Sequence, residues 1–282
     1  VRLKAPATTA NMGSGFDVVG MALKLHNTVQ FEKANRFKVH SIGRYGLEIG
    51  DAAETFRNAI ERFEKETGKR VPALKIIQEC EIPPARGLGS SAAAIASALF
   101  ISNIMTGGRI PTDALLEIGT EIEGHPDNIV PCMVGGLTVS YYDGSRLDYE
   151  KFEMPDHRLT FLVPEFKLST EAMRKALPDS IPFKDALGNI KNVSQFISKA
   201  SKGDFAGALK YTKDFIHQSY RIDSDPRMKE LVDRIEERNP GYWFVSGSGS
   251  SICCDLEDTG GFPYLEAVIR TSPANEPFIV EM

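Results

Sequence analysis

Three short strings hold most of the residues able to do chemistry. From Pro83 to Ala94 the chain reads PPARGLGSSAAA, with Gly87 and Gly89 two apart and Ser90 and Ser91 directly after them. Glycines so placed let the backbone turn tightly and approach a ligand with no Cβ in the way. The Ala-rich run that follows predicts a helix from Ala92 to Ile104, stopped by Gly107 and Gly108. Free N–H groups and the positive dipole end at its first turn suit an anion such as a nucleotide phosphate. Ser90 and Ser91 could cap the helix or set a hydroxyl on a phosphate-bound metal. No Lys follows the second Gly, so this is not a Walker A loop, and the G-x-G-x-x-G spacing of a dinucleotide fingerprint is absent.

The second string, ANMGSGFD from Ala10 to Asp17, crowds an amide, two glycines and a carboxylate into one loop. It reads either as a Gly-rich turn or as a loop that aims Asn11 and Asp17 at a ligand. The third, EGHPDN from Glu123 to Asn128, packs Glu, His, Asp and Asn into six residues at the end of a helix. Beyond them, Thr170 and Arg174 are spaced i to i+4 on one expected helix, so both can face one ligand, and Arg221 follows another helix end. Each arginine taken alone reads as a solvated surface residue. An amino-acid ligand, however, needs a guanidinium fork for its carboxylate and a carboxylate for its ammonium. Arg174, Arg221 and Asp17 meet that demand.

The extended pattern P-x-x-x-G-L-G-S-S-A-A resembles the phosphate motif of the GHMP kinases, the family of small-molecule kinases that includes galactokinase and mevalonate kinase. ANMGSGFD and EGHPDN resemble the branch of that family that phosphorylates homoserine, and SGSGSS, Ser246 to Ser251, resembles the third family motif. The resemblance covers nearly the whole chain, with its motifs in family order. SGSGSS, where SGAGP-type strings are commoner, is a mild departure. The resemblance implies an α+β, two-domain fold, with a ribosomal-protein-like N-terminal domain, a ferredoxin-like C-terminal domain, and the active site between them. It implies ATP and Mg²⁺ as cofactors and L-homoserine as substrate. The nucleotide is expected on Pro84, Ala85, Arg86, Gly87, Leu88, Gly89, Ser90, Ser91, Ala92 and Ala93. Ser91 and Glu123 are expected to hold the metal, with Glu121 as the alternative carboxylate. Asn11, Asp17, His125, Thr170, Arg174 and Arg221 are expected to hold the substrate, and SGSGSS to pack against the phosphate loop or meet the substrate by backbone alone. Asn128, where other branches carry a carboxylate base, is expected at the reaction centre with His125. Two other readings stay open: a kinase for another small alcohol such as mevalonate or shikimate, which has no ammonium for Asp17 to read, and a non-catalytic ligand-binding member. The latter would be betrayed by loss of the metal-site serine or glutamate, and both are present. The family commonly dimerises, which leaves a homodimer open.

The elements that must position these groups are a mixture. Strands are expected at Arg2–Thr8, Thr28–Ala34, Phe37–Ile42, Ala73–Cys80, Leu137–Tyr142, Leu159–Val163 and Phe278–Glu281, with a strand–turn–strand over Tyr242–Leu256. Helices are expected at Thr55–Thr67, with Ile60 and Phe63 on its buried face, and at Thr112–Glu123, with Thr112 as N-cap. Further helices are expected at Ser169–Leu177, Phe183–Ser201, Asp204–His217, Pro226–Arg238 and near Phe262–Thr271. Interleaving without regular βαβ alternation indicates α+β. Polar composition around Asp143–Asp148 places a domain boundary there, giving an ATP-binding unit over 1–145 and a second unit over 146–282.

Composition narrows the function classes. With 282 residues, 42% hydrophobic and 25% charged, the chain can bury a full core. A formal charge of −5 and no basic stripe argue against nucleic acid as a partner. Apolar runs stop short of the roughly 18 residues of a membrane helix, and VRLKAPATTA lacks the apolar stretch of a signal peptide, so no membrane partner is expected. Cys80, Cys132, Cys253 and Cys254 form no CxxC pair, and Cys253 and Cys254 should point to opposite faces of a strand. Free buried thiols in a reducing cytoplasm are expected, and no zinc site.

Overall fold

The computed structural model describes residues 1–49 and 52–281. Its first layer is a seven-stranded sheet. β1 (Arg2–Ala10), β2 (Val19–Lys33), β4 (Leu74–Glu79) and β3 (Lys38–Ile42) lie side by side. β5 (Leu137–Tyr142) pairs with the start of β2, β6 (Leu147–Phe152) pairs with β5, and β11 (Ile279–Glu281) returns to pair with β1. β2 is long because it serves two neighbours: Val19–Met21 pairs with β5, and Thr28–Lys33 with β4. The register between β1 and β2 shifts at Pro6/Ala7, where proline supplies no N–H to the ladder.

Helices α1 (Ala52–Thr67), α2 (Ser90–Met105), α3 (Thr112–Glu123) and α4 (Pro126–Val134) pack with this sheet. Phe56, Ile60 and Phe63 turn one face of α1 inward. α2 is buried nearly all round, so small alanines suit it, and Ser97 and Ser102 satisfy their hydroxyls on the carbonyls of Ala93 and Ala98 at 2.7 and 2.8 Å.

The second layer is a four-stranded antiparallel sheet, β10 (Leu265–Thr271), β7 (Leu159–Pro164), β9 (Ile252–Cys254) and β8 (Trp243–Val245). With it lie α5 (Thr170–Lys175), α6 (Phe183–Ala200), α7 (Phe205–Leu209), α8 (Gln218–Asp223) and α9 (Pro226–Glu236). Cys253 and Cys254 do face opposite ways, into the two hydrophobic clusters, and all four thiols are free and buried. The α+β expectation holds.

Four expectations need correction. Thr112 is the first helical residue of α3; Pro111 occupies the cap and no side chain bonds there. The expected helix over Asp204–His217 is reduced to α7 followed by a non-helical stretch that ends at His217, the cap of α8. The Asp214 carboxylate accepts the N–H groups of Ile216, His217 and Gln218, which begins a new helix instead of continuing the old one. Leu265–Thr271 is an edge strand of the second sheet: in a run this short, Leu265, Val268 and Ile269 fit the helical spacing while Leu265, Ala267 and Ile269 fit period two. Finally, the polar stretch at Asp143–Asp148 is the turn of the β5–β6 hairpin. A boundary at 145/146 therefore cuts a strand pair of the first sheet, and polar turn chemistry marked a hairpin and not a linker.

Candidate active site

The three strings and both arginines meet in one cleft between the layers, lined by Asn11, Asp17, Gly87, Ser91, Glu123, His125, Asn128, Thr170, Arg174 and Arg221. The phosphate loop forms its floor. Gly89 adopts φ 70° at the head of α2, and neither Ser90 nor Ser91 caps the helix. The first N–H taken up within the loop and helix is that of Ala93, bonded to the Gly89 carbonyl at 2.9 Å, so the N–H groups before it remain available to an anion. Gly87 has φ +72°, and a Cβ there would sit 1.9 Å from the Ser246 carbonyl oxygen. The glycine is thus required by the close approach of the SGSGSS turn, whose Ser246 hydroxyl donates to the Gly87 carbonyl at 2.6 Å. As expected, this turn packs on the phosphate loop, but Ser248 also brings a hydroxyl to the cleft, 3.2 Å from that of Thr170.

Not every residue of the loop faces the cleft. The Arg86 side chain is turned away from it. It pairs with Glu48 at 2.9 Å and with Glu266, and donates to the Pro164 carbonyl at 2.8 Å, tying the loop to the second layer. The methyls of Ala92 and Ala93 and the side chain of Leu88 lie in the core, so these positions can offer backbone only, and Ala93 has already used its N–H. Pro84 borders a neighbouring cavity and not the cleft itself. Ala85 and Ser90 line both.

Ser91 Oγ donates to Glu123 Oε2 at 3.0 Å, across 32 residues of chain. Glu121 instead pairs with Arg62 on the exposed side of α3. Burial pushes the Glu123 carboxyl above its ordinary range, with His125 and the Ser91 hydroxyl pulling the other way. Gly124, at φ 86°, ends α3, and Pro126 opens α4 one residue after His125. That sharp junction sets Glu123, His125 and Asn128 around one point. Asp127, which the motif contained but to which the sequence assigned no role, is buried. It accepts from His125 Nδ1 at 2.6 Å and from Asn128 Nδ2 at 3.2 Å. Burial would lower the His125 pKa, but the Asp127 bond and charge, with Glu123 behind them, raise it overall. Thr8 closes the set by donating to Asn128 Oδ1 at 2.6 Å.

At the other wall Asn11 works as a brace. Its Nδ2 donates to the Gly247 carbonyl at 2.8 Å and its Oδ1 accepts the Asp17 N–H at 2.9 Å, which shapes the loop that presents Asp17. Asp17 and Arg174 form a two-pronged pair at 2.8 and 2.9 Å. Arg221 is 2% exposed, donates to the Gly247 carbonyl at 2.8 Å, and has no carboxylate in ion-pair range among the described residues. Burial lowers its pKa to about 10, with Asp17 pulling up, so the guanidinium stays charged at neutral pH. Phe16, quoted in the motif but not singled out, lies under both guanidiniums at 5.8 and 5.1 Å and stacks on His217 at 4.9 Å.

His217 is fully buried and its Nε2 donates to the Gly13 carbonyl at 2.8 Å. Burial depresses its pKa from 6.5 to about 4, against an upward pull from Asp214. The unfolded chain therefore binds this proton first as pH falls. The stability is fully present above about pH 6.5 and is lost as pH drops toward about 4. Thermal unfolding from pH 7 to 4 should show this acid-side decline, and His217→Gln, which keeps a donor for Gly13, should flatten it. Equal slopes in both proteins would remove His217 as the cause.

An anion cradle at a helix N-terminus, beside a hydroxyl–carboxylate pair in a cleft between two sheets, is the arrangement of a GHMP-type small-molecule kinase. The family model for the GHMP kinases N terminal domain matches residues 54–136. The homoserine kinase of Thermotoga petrophila is 47% identical over 281 residues, covering 99% of both chains. That of Aquifex aeolicus is 34% identical over 254 residues, covering 90% of this chain and 86% of its own. Among solved structures, homoserine kinase from Cytophaga hutchinsonii superposes with a TM-score of 0.80 at 23% identity, over 99% of this chain and 97% of that one. L. major mevalonate kinase in complex with R-mevalonate gives 0.74 at 11%, over 98% and 96%. These two likenesses establish the fold. The chain belongs to the homoserine kinase family.

Proposed function

We propose that the protein transfers the γ-phosphoryl group of ATP to the side-chain hydroxyl of L-homoserine, releasing ADP and O-phospho-L-homoserine for threonine biosynthesis. The observation that carries the substrate is Arg221: a buried guanidinium with no carboxylate in ion-pair range among the described residues, beside an Asp17–Arg174 pair, on the wall facing the phosphate loop. A zwitterion fits this charge pattern, its carboxylate on Arg221 and Arg174 and its ammonium on Asp17, so that every charge keeps a partner. A substrate with a carboxylate alone would still pair with Arg221 but would give Asp17 no ammonium to read. Thr170, on the same face of α5 as Arg174, offers a hydroxyl to the same ligand.

The α2 N-terminus and the backbone of Ala85–Ala92 take the nucleotide phosphates. Ser91 and Glu123 fit Mg²⁺, since they converge as two hard oxygen donors beside the anion cradle. No group of three or more metal-ligating side chains exists among the described residues, which suits an ion that draws most of its ligands from phosphates and water. When bound, Mg²⁺ supplies neutralisation of the charge that gathers on the β- and γ-oxygens. Asn128, its amide oriented by Thr8 and Asp127, holds the attacking hydroxyl, and His125, oriented by Asp127, completes the contact with the substrate. An amide takes no proton at neutral pH, so the hydroxyl proton leaves to the γ-phosphate or solvent. A loose phosphoryl-transfer transition state permits this, because positioning and charge stabilisation supply most of the rate. The sheet holding β1 and β2 and the helices packed on it supply the nucleotide side. The second layer supplies Thr170, Arg174 and Arg221.

ADP release with homoserine, mevalonate or shikimate as acceptor tests the assignment. Turnover is expected with homoserine, with the other two near background. Equal or faster turnover of mevalonate or shikimate would replace the substrate, and no turnover with any acceptor would favour a ligand-binding role.

A further inference from the structure

We infer that Gln78 reads the six-position of the purine ring, which makes it a base-specificity residue; this rests on the nucleotide reading of the phosphate loop. β4 places Leu74, Ile76 and Gln78 on its inward face by strict alternation, the first two in the main core. A third apolar residue would continue that face. Instead the chain carries a carboxamide, 1% exposed, whose Oε1 has no hydrogen-bond partner among the described residues. An unsatisfied buried amide oxygen at a core-facing position requires a reason.

The reason lies in what it borders. Gln78 lines a cavity of about 250 Å³ whose wall includes Ala85, Ser90 and Ser91, the same residues that line the phosphate cleft. A nucleotide with its phosphates on the α2 N-terminus has its base within reach of this space. Pro84, Ala94 and Ile49 give the cavity apolar walls suited to a flat aromatic ring. Oε1 accepts the exocyclic N–H of adenine, and the amide as a whole matches adjacent donor and acceptor positions on its edge.

The probes are ATP and purine riboside triphosphate, which carries hydrogen where ATP has the six-amino group. Dissociation constants come from calorimetry, homoserine turnover from ADP release, and stability from thermal unfolding. Wild-type protein should favour ATP by about tenfold or more, since a site built to bond a group rejects the ligand lacking it. Gln78→Met should bring that ratio toward one by weakening ATP alone, with the homoserine KM unchanged. Its melting temperature should hold or rise, because an orphaned polar atom is replaced by an apolar chain of similar size. A wild-type ratio near one, an unchanged ratio in Gln78→Met, or a lowered melting temperature with the ratio intact would overturn the inference. Intact discrimination in binding without homoserine turnover would instead overturn the kinase reading and leave Gln78 in place.

Discussion

Glu123→Gln is expected to lower kcat by about 100-fold or more while leaving the fold intact, because it removes the charged oxygen that would hold the Mg²⁺ whose positive charge neutralises the phosphoryl oxygens. The substitution keeps the volume of the side chain and still accepts from the Ser91 hydroxyl, now at 3.0 Å from the carboxylate. Its effect on stability has a definite sign. Burial raises the Glu123 pKa, so the ionised carboxylate costs stability at neutral pH, and a neutral amide should leave the melting temperature unchanged or higher. A kcat loss without a stability loss separates a metal-holding role from a structural one. Glu121→Gln is the matched control: it loses an exposed pair with Arg62, a contact of small energetic value, and should turn over normally. If Glu123→Gln worked and Glu121→Gln did not, the metal would belong to the other carboxylate.

Arg221→Ala should raise the homoserine KM by roughly 30-fold to several thousand-fold, the equivalent of about 2–5 kcal/mol for stranding the partner of a buried charge pair. The KM for ATP should stay near wild type. Arg174→Ala should cost less, since Asp17 already neutralises Arg174 and part of the loss is offset by freeing that carboxylate for the ammonium. The acceptor 3-aminopropanol, which is homoserine without its carboxylate, supplies the control: wild type and Arg221→Ala should handle it alike. A homoserine KM that survives Arg221→Ala, or an equal penalty on 3-aminopropanol, would mean that this guanidinium does not read a carboxylate.

Much of the framework follows from local signals. Gly87 and Gly89 before an Ala-rich run predict the anion cradle, because φ freedom and helix propensity act over a few residues. α3 and β5 occur with the expected bounds for the same reason. Local signals mislead where two periods fit one short run, as at Leu265–Thr271. They mislead also where a turn residue can end either a hairpin or a domain, as at Asp143–Asp148. α4 carried a readable start in Gly124 and Pro126, but Pro131 inside it is a residue that breaks most helices.

Asn11, Asp17, Glu123, His125, Asn128, Thr170, Arg174 and Arg221 were legible as polar or charged residues in motifs, and the fold does gather them. Which of them are still free to act is a different matter, because partners arrive from distant parts of the chain. Asp17 is engaged by Arg174, 157 residues away, whereas Arg221 has no carboxylate in ion-pair range among the described residues. Arg86, from the same string as the phosphate cradle, is drawn off by Glu48 and Glu266. Asp127 becomes the brace of His125 and Asn128 only once α3 and α4 are set at their junction, and Gln78 becomes conspicuous only once its oxygen is seen buried beside the cleft. Motif chemistry depends on residue type and short spacing, which the linear chain contains. Pairing, burial and the choice between a bound and an open charge depend on how separate elements are set against one another, which exists only in the folded molecule.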